Sequence, residues 1–185
     1  MAAWFSKLRD PKSVKHKGQR VSEILEAHEL FARQAAGGIR ADLVGADLSR
    51  LDLRGRLLRY ANLQNAKLDG ADLSEAKLAW SDLSGASLRG ARMLRSELTE
   101  AGAEGADFSG ADLSGSEIFR ARLSGAKFHH AKLRGSNLRG SVLTATDFSA
   151  SDLNLCLLAE TNLNEANLEG ADISTSVLRD ALQPK

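Results

Sequence analysis

Four groups of residues carry side chains capable of chemistry. His129 and His130 are adjacent and could ligate a metal ion. Cys156 is the single cysteine, a possible nucleophile or redox thiol. His28 lies in the phrase HELF, ahead of an apolar and glycine-containing stretch. Aspartates recur throughout, in ADLVG, ADLSR, LDLRG, ADLSE and SDLSG, and paired carboxylates can do acid–base work. Spacing argues against each of these as a site. A structural or catalytic metal needs three or four converging ligands, and no third residue accompanies the two histidines at a recognisable spacing. No nucleophile–base arrangement or glycine-rich phosphate loop is legible. The aspartates share one position of a repeating unit, so their number reflects the repeat. We therefore expect no enzyme, no cofactor and no metal.

The repeat is what must position everything else. Cut from Ala41, the chain reads ADLVG, ADLSR, LDLRG, RLLRY, ANLQN, and the frame holds to SVLRD at 176–180, 28 blocks without an insertion. The third position is Leu in 21 of them; Met93, Ala103, Phe108, Ile118, Phe128, Phe148 and Ile173 are the exceptions. The first position is small, Leu51 and Arg56 apart, and glycine is frequent at the fifth. On an α-helix a step of five residues advances about 140°, which scatters the leucines around the axis. On a flat strand an odd spacing sends alternate leucines to opposite faces. A short extended piece followed by a corner satisfies both positions: the first and third point inward together, and glycine suits the corner.

These blocks resemble the pentapeptide-repeat family, with its motif A-[DN]-L-x-x, over residues 41–180. The resemblance implies an all-β fold, a right-handed quadrilateral parallel β-helix with four blocks per coil and about seven coils. At about 4.8 Å per coil the rod is roughly 34 Å long. It also implies that residues 20 apart are vertical neighbours. One core ladder then contains Phe108, Phe128 and Phe148, with Ala103 the small centre beside Phe108. Cys156 falls in the small inner column and reads as a structural thiol. Among outward residues, Lys127 lies between Asp107 and Asp147, Lys132 between Asp112 and Asp152, and Arg92 between Asp72 and Asp112, so these cations are expected to pair with acids. No direct nucleic-acid binding is expected, because that needs a basic stripe open to phosphate.

The fourth face of such a rod, RLLRY, AKLAW, SELTE, SEIFR, SNLRG, CLLAE and SVLRD, is different. It points Leu57, Tyr60, Trp80, Phe119, Leu157 and Val177 outward. An apolar stripe of this kind suggests a covered surface. The cover could be the N-terminal segment folding back, a protein partner of unknown identity, or a second subunit.

Residues 1–19 form a basic arm containing Trp4 and Phe5, expected to be a mobile or folded-back tail. Residues 20–38 are expected to be a helix that caps the first coil: Val21, Ile24, Leu25, His28, Phe31, Ala32 and Ala35 share a face, and Gly37 and Gly38 end it. The phrase HELFARQAAGGIRADL resembles a lead-in common in bacterial pentapeptide-repeat proteins, with Phe31 where a tryptophan is expected. His28 reads as a packed or capping residue. Residues 181–185 form a short tail, and the last coil is expected to be closed by that tail or by a second copy end to end, as in the homodimers of this family.

Residues 1–40 hold eight Lys/Arg and four Asp/Glu, while residues 41–185 hold 17 and 20. No signal peptide or spanning apolar run is present, and one thiol makes an intrachain disulfide impossible, so a soluble cytoplasmic protein is expected. The function expected is a non-enzymatic protein–protein interaction scaffold. The family resemblance supplies an alternative, a DNA-mimicking modulator or protector of DNA gyrase, which the weak net charge and unbroken frame disfavour.

Overall fold

The computed structural model describes residues 8–178. From Ala41 onward the chain is a parallel β-helix with a period of 20 residues. Second-position residues bridge their counterparts one coil away, all in parallel: Asp42 to Asn62, Asn62 to Asp82, Leu57 to Lys77, Lys77 to Glu97, and so on as far as Leu157 to Val177. Each contact is a single-residue bridge, because a corner interrupts the strand every five residues. Three backbone hydrogen bonds define the block ADLSR-like unit. The third-position N–H donates upward (Leu63 to Asp82 O, 2.7 Å), and the second-position N–H donates downward (Asp82 to Ala61 O, 3.0 Å). The first residue of the next block donates back three residues (Ala86 to Leu83 O, 2.9 Å), closing the corner.

The corner requires positive φ at the fifth position, 66° at Gly85 for example, which explains the glycines there. It also explains the aspartates. Asp47 Oδ1 accepts the amide of Ser49 at 3.0 Å, and Asp107 Oδ1 that of Ser109 at 2.9 Å. Asp72, Asp82, Asp112, Asp147, Asp152 and Asp172 do the same two residues on, as do Asn62 and Asn167. An Asx turn therefore seats the corner wherever the second position is one of these Asp or Asn residues. The Ser49 amide holds the Asp47 carboxyl below its ordinary range. For Asp107, burial pushes up, and the Ser109 hydroxyl and amide more than offset it.

Inside, the central leucines and first-position alanines are buried. Several hydroxylic first positions reach a carbonyl in the coil below, Ser116 to Met93 O at 2.6 Å, Ser136 to Leu113 O at 2.8 Å and Thr146 to Leu123 O at 3.0 Å, whereas Ser151 and Thr161 bond Phe148 O and Leu158 O in the block just before them. These buried hydroxyls are thus satisfied, while the buried Ser81 hydroxyl has no hydrogen-bond partner among the described residues. At the upper end Ala166, Leu168, Ala171, Ile173 and Leu178 are only partly buried. The expected closure by residues 181–185 lies outside the described residues.

The N-terminal segment is more structured than expected. The basic arm is no loose tail from Arg9 onward: Arg9 bridges Leu51 in parallel, its amide donating to Arg50 O at 2.6 Å. A 3-10 turn follows at Pro11–Ser13, capped by Asp10, and then a two-stranded hairpin, β1 (Lys15–His16) and β2 (Gln19–Arg20). Trp4 and Phe5 lie outside the described residues. The helix, α1, runs Val21–Ala32, six residues shorter at its end than the expected 20–38. Gln34 turns left-handed at φ 56°, and Ala35 donates back to Leu30 O instead of continuing the helical face. Val14, Val21 and Leu25 join the same core as the coil leucines. No helix among the described residues is long and apolar enough to cross a membrane.

His28 is fully buried and links α1 to the first coil, its Nδ1 accepting the Ala41 amide at 3.0 Å. Its ring stacks on Phe31 at 5.6 Å. Burial lowers its pKa, so the folded chain holds it neutral. The unfolded chain protonates it near pH 6.5. As pH falls through that value the unfolded state takes up a proton that the folded state resists, and stability falls. The lowered aspartates act in a separate window, losing their contribution only below about pH 4. We expect the melting temperature to drop more between pH 7 and pH 5 in the native chain than in His28→Gln, whose amide oxygen can still accept from Ala41. Equal slopes in the two chains would remove His28 from this role.

The candidate interaction face

The residues singled out for chemistry sit in structural positions. His129 and His130 are tilted against each other, ring centroids 4.0 Å apart, and His129 Nδ1 bonds Ser149 Oγ at 2.8 Å. No group of three metal-ligating side chains occurs among the described residues. Cys156 is buried, its Sγ 2.9 Å from Leu133 O, the place serine hydroxyls take in other coils. Burial pushes its thiol up to about 12. A concavity of about 950 Å³ between residues 8–11 and the blocks of Asp52, Arg56 and Ser74 has charges engaged with one another: Arg54 with Asp52 at 2.5 Å and Arg56 with Glu29 at 2.7 Å.

Phe108, Phe128 and Phe148 stand in one buried column, rings stacked at 4.7 and 5.1 Å. The charged columns hold at Arg92, whose guanidinium lies 3.9 Å from the Asp72 carboxylate, and require a correction at the two lysines. Lys127 bridges Asp107 and Asp147, and Lys132 bridges Asp112 and Asp152, yet neither lysine forms an ion pair among the described residues. The aspartates turn along the strand to their own corner amides, away from the vertical neighbour. The ion pairs nearby are made by longer arginines instead, Arg89 with Asp107 at 3.8 Å and Arg95 with Glu75 at 4.0 Å.

The fourth face is built by the corner following each Leu58-type centre. Tyr60 and Trp80 occupy fifth positions in successive coils, with φ of 65° and 57°. Their rings stack at 5.3 Å, 9° from parallel, and remain 45% and 41% exposed. Among the described residues neither the Tyr60 hydroxyl nor the Trp80 indole N–H makes a hydrogen bond. Leu157 and Val177 are exposed too, whereas Leu57 and Phe119 are half-buried, Phe119 under the Arg120 guanidinium at 4.9 Å. Arg59 and Lys77 flank the aromatics and both reach Glu97, at 3.0 and 3.5 Å. Residues 8–40 do not cover the stripe; their nearest bond to it is Arg40 Nε to the Tyr60 carbonyl, 2.5 Å. Leu155, half exposed at a corner beside this face, escaped the sequence reading because it ends the block SDLNL, which precedes a fourth-face block and is not one of them.

A repeating solenoid with 20-residue coils and Asx-turn corners defines the class of protein. The family model for pentapeptide repeats matches residues 39–74, 76–115, 121–158 and 141–180, and the chain belongs to that family. Its solved structures include HetL, a pentapeptide repeat protein involved in heterocyst differentiation regulation from the cyanobacterium Nostoc sp. strain PCC 7120. That structure is 31% identical and matches over 77% of this chain and 82% of its own, with a TM-score of 0.50. QnrB1, a plasmid-mediated fluoroquinolone resistance protein, is 24% identical over 73% of this chain and 78% of its own, with a TM-score of 0.43. These relatives form right-handed β-helices. No curated protein matches the chain significantly.

Proposed function

We propose that this protein is a non-enzymatic interaction scaffold that binds a protein partner along the fourth face. One observation carries the reading: two large aromatic residues are kept at exposed, left-handed corners. Other left-handed corners carry glycine or mostly polar residues such as Arg50, Glu75, Arg120 and His130, which water accepts, whereas these two place large rings in solvent. The core gains little from either ring, since each is more than two-fifths exposed. Paired aromatics with unused polar tips are the residues that anchor protein interfaces. A reducing, cytoplasmic setting suits a chain whose lone thiol is buried and structural.

Replacing both Tyr60 and Trp80 by Ala is expected to leave stability within about 1 kcal/mol of the native chain and to abolish capture of the partner. A variant that melts far below the native chain would make the rings structural and the reading wrong.

Gyrase modulation is the competing reading. A DNA mimic needs continuous acidic surface. Here Arg89, Arg92 and Arg95 occupy one coil, and Lys127, Lys132 and Arg134 lie two coils above. A supercoiling assay with purified gyrase is expected to show neither inhibition nor drug protection at micromolar protein; either effect would reverse this ranking.

A further inference from the structure

We propose that the protein partner docks through an arginine, whose guanidinium stacks on the upper face of Trp80 and pairs with Glu100. This rests on reading the fourth face as a protein-binding surface. Tyr60, Trp80, Glu100 and Arg120 end successive blocks of that face, with φ of 65°, 57°, 55° and 53°. Matching backbone angles send the four side chains out in one direction, about 4.8 Å apart. The corners are tied together by the Trp80 amide, which donates to Thr99 O at 3.1 Å, and the Glu100 amide, which donates to Phe119 O at 2.8 Å. Trp80 thus has Tyr60 against its lower face, rings 5.3 Å apart, and the exposed Glu100 one coil step above its upper face. Among the described residues no cation lies over either ring, and Glu100 makes no ion pair.

The cations of the neighbouring blocks are engaged elsewhere. Arg59 and Lys77 both reach Glu97, at 3.0 and 3.5 Å, and Arg122 reaches Glu104 at 2.6 Å. Arg120, one step above Glu100, turns away from it. Its guanidinium lies over Phe119, and its Cγ and Nε are 3.3 and 4.0 Å from where a Cβ on Gly140 would stand. Glu160 Oε2 is 3.9 Å from that same point, so the missing side chain of Gly140 lets Arg120 climb toward Glu160. An aromatic face and an unpaired carboxylate are therefore left open together. The group complementary to both is a planar cation. A guanidinium can add a third layer to the Tyr60–Trp80 stack while its edge donates two N–H groups to a carboxylate, and an ammonium has no such plane. An acidic group would be repelled by Glu100, and an apolar one would bury that charge unpaired.

The probe is a random peptide display library selected on the immobilised native chain, with the chain carrying Tyr60→Ala and Trp80→Ala as the subtraction target. Enriched peptides are expected to carry an arginine. Citrulline in its place keeps the plane and loses the charge, and is expected to weaken binding about tenfold. Glu100→Gln has no bond to lose within the chain and is expected to melt with it. This variant should bind the arginine peptide about fivefold more weakly, and there the citrulline exchange should cost only about twofold. An arginine dependence undiminished in Glu100→Gln would overturn the proposal. So would lysine peptides that bind as tightly, or enriched peptides with no basic residue. Each of these leaves the scaffold reading standing, because peptides that survive the subtraction need the two rings. A library that yields no peptide dependent on those rings would sink both.

Discussion

Phe128→Ala is expected to destabilise the fold by about 3–5 kcal/mol, the range for truncating a buried aromatic ring. Phe128 is the middle of three stacked rings, fully buried, with Phe108 on one side at 4.7 Å and Phe148 on the other at 5.1 Å. Truncation leaves a cavity that neither neighbour can fill, since each is held by its own coil. In a solenoid each coil touches only the next, so a weak coil interrupts the stack. The coils above Phe148, whose core is only partly buried, should lose protection from hydrogen exchange before the lower ones. Thermal melting would show a drop of about 10 °C for a chain of this size. Phe128→Leu should recover most of the loss, because leucine is what most blocks carry at this position. If the alanine variant melted with the native chain, the column would not be a packed core.

Gly38→Ala is the second large effect, about 2–3 kcal/mol by overpacking. A Cβ at Gly38 would lie 2.5 Å from Phe31 Cα and 2.7 Å from the Leu30 carbonyl carbon, both backbone atoms that cannot rotate away. The segment would have to lift off α1. It carries the bond from the Ile39 amide to Ala27 O, and two residues on the bond from Ala41 to His28. Both tie the helix to the first coil. Gly37→Ala is the control. Its Cβ meets nothing within 4 Å, so only the left-handed φ of 78° is penalised, at about 1 kcal/mol. Limited proteolysis within residues 8–40 should accelerate for the first variant and change little for the second. Equal behaviour would mean that the close approach to Phe31 is not what requires glycine.

The coil register was legible because every block repeats the same inward pair, and one frame over 28 blocks leaves no other period. Tyr60 and Trp80 follow from it by counting twenty. What the sequence could not show was how outward side chains spend their hydrogen bonds. Asp107 looks like a vertical partner for Lys127, but the Ser109 amide competes for its carboxylate and wins. The N-terminal segment was legible only where it repeats a known period. The turns of α1 were visible, whereas the two-residue strands of the Lys15–His16 hairpin are too short to carry a period and the Arg9–Leu51 bridge depends on a coil about 40 residues away. The end of α1 was misplaced because Ala35 and Ala36 favour helix locally, while packing of Gly38 on Phe31 turns the chain back earlier.

The central functional claim is that this chain leaves the Tyr60–Trp80 stripe uncovered for a partner. Acrylamide quenching of Trp80 in a Trp4→Phe variant, where it is the sole indole, tests it most directly. In dilute protein we expect quenching close to that of a solvent-exposed tryptophan, falling as partner is added. A Trp80 shielded in the dilute monomer would mean that the chain covers this face itself, and would contradict the account.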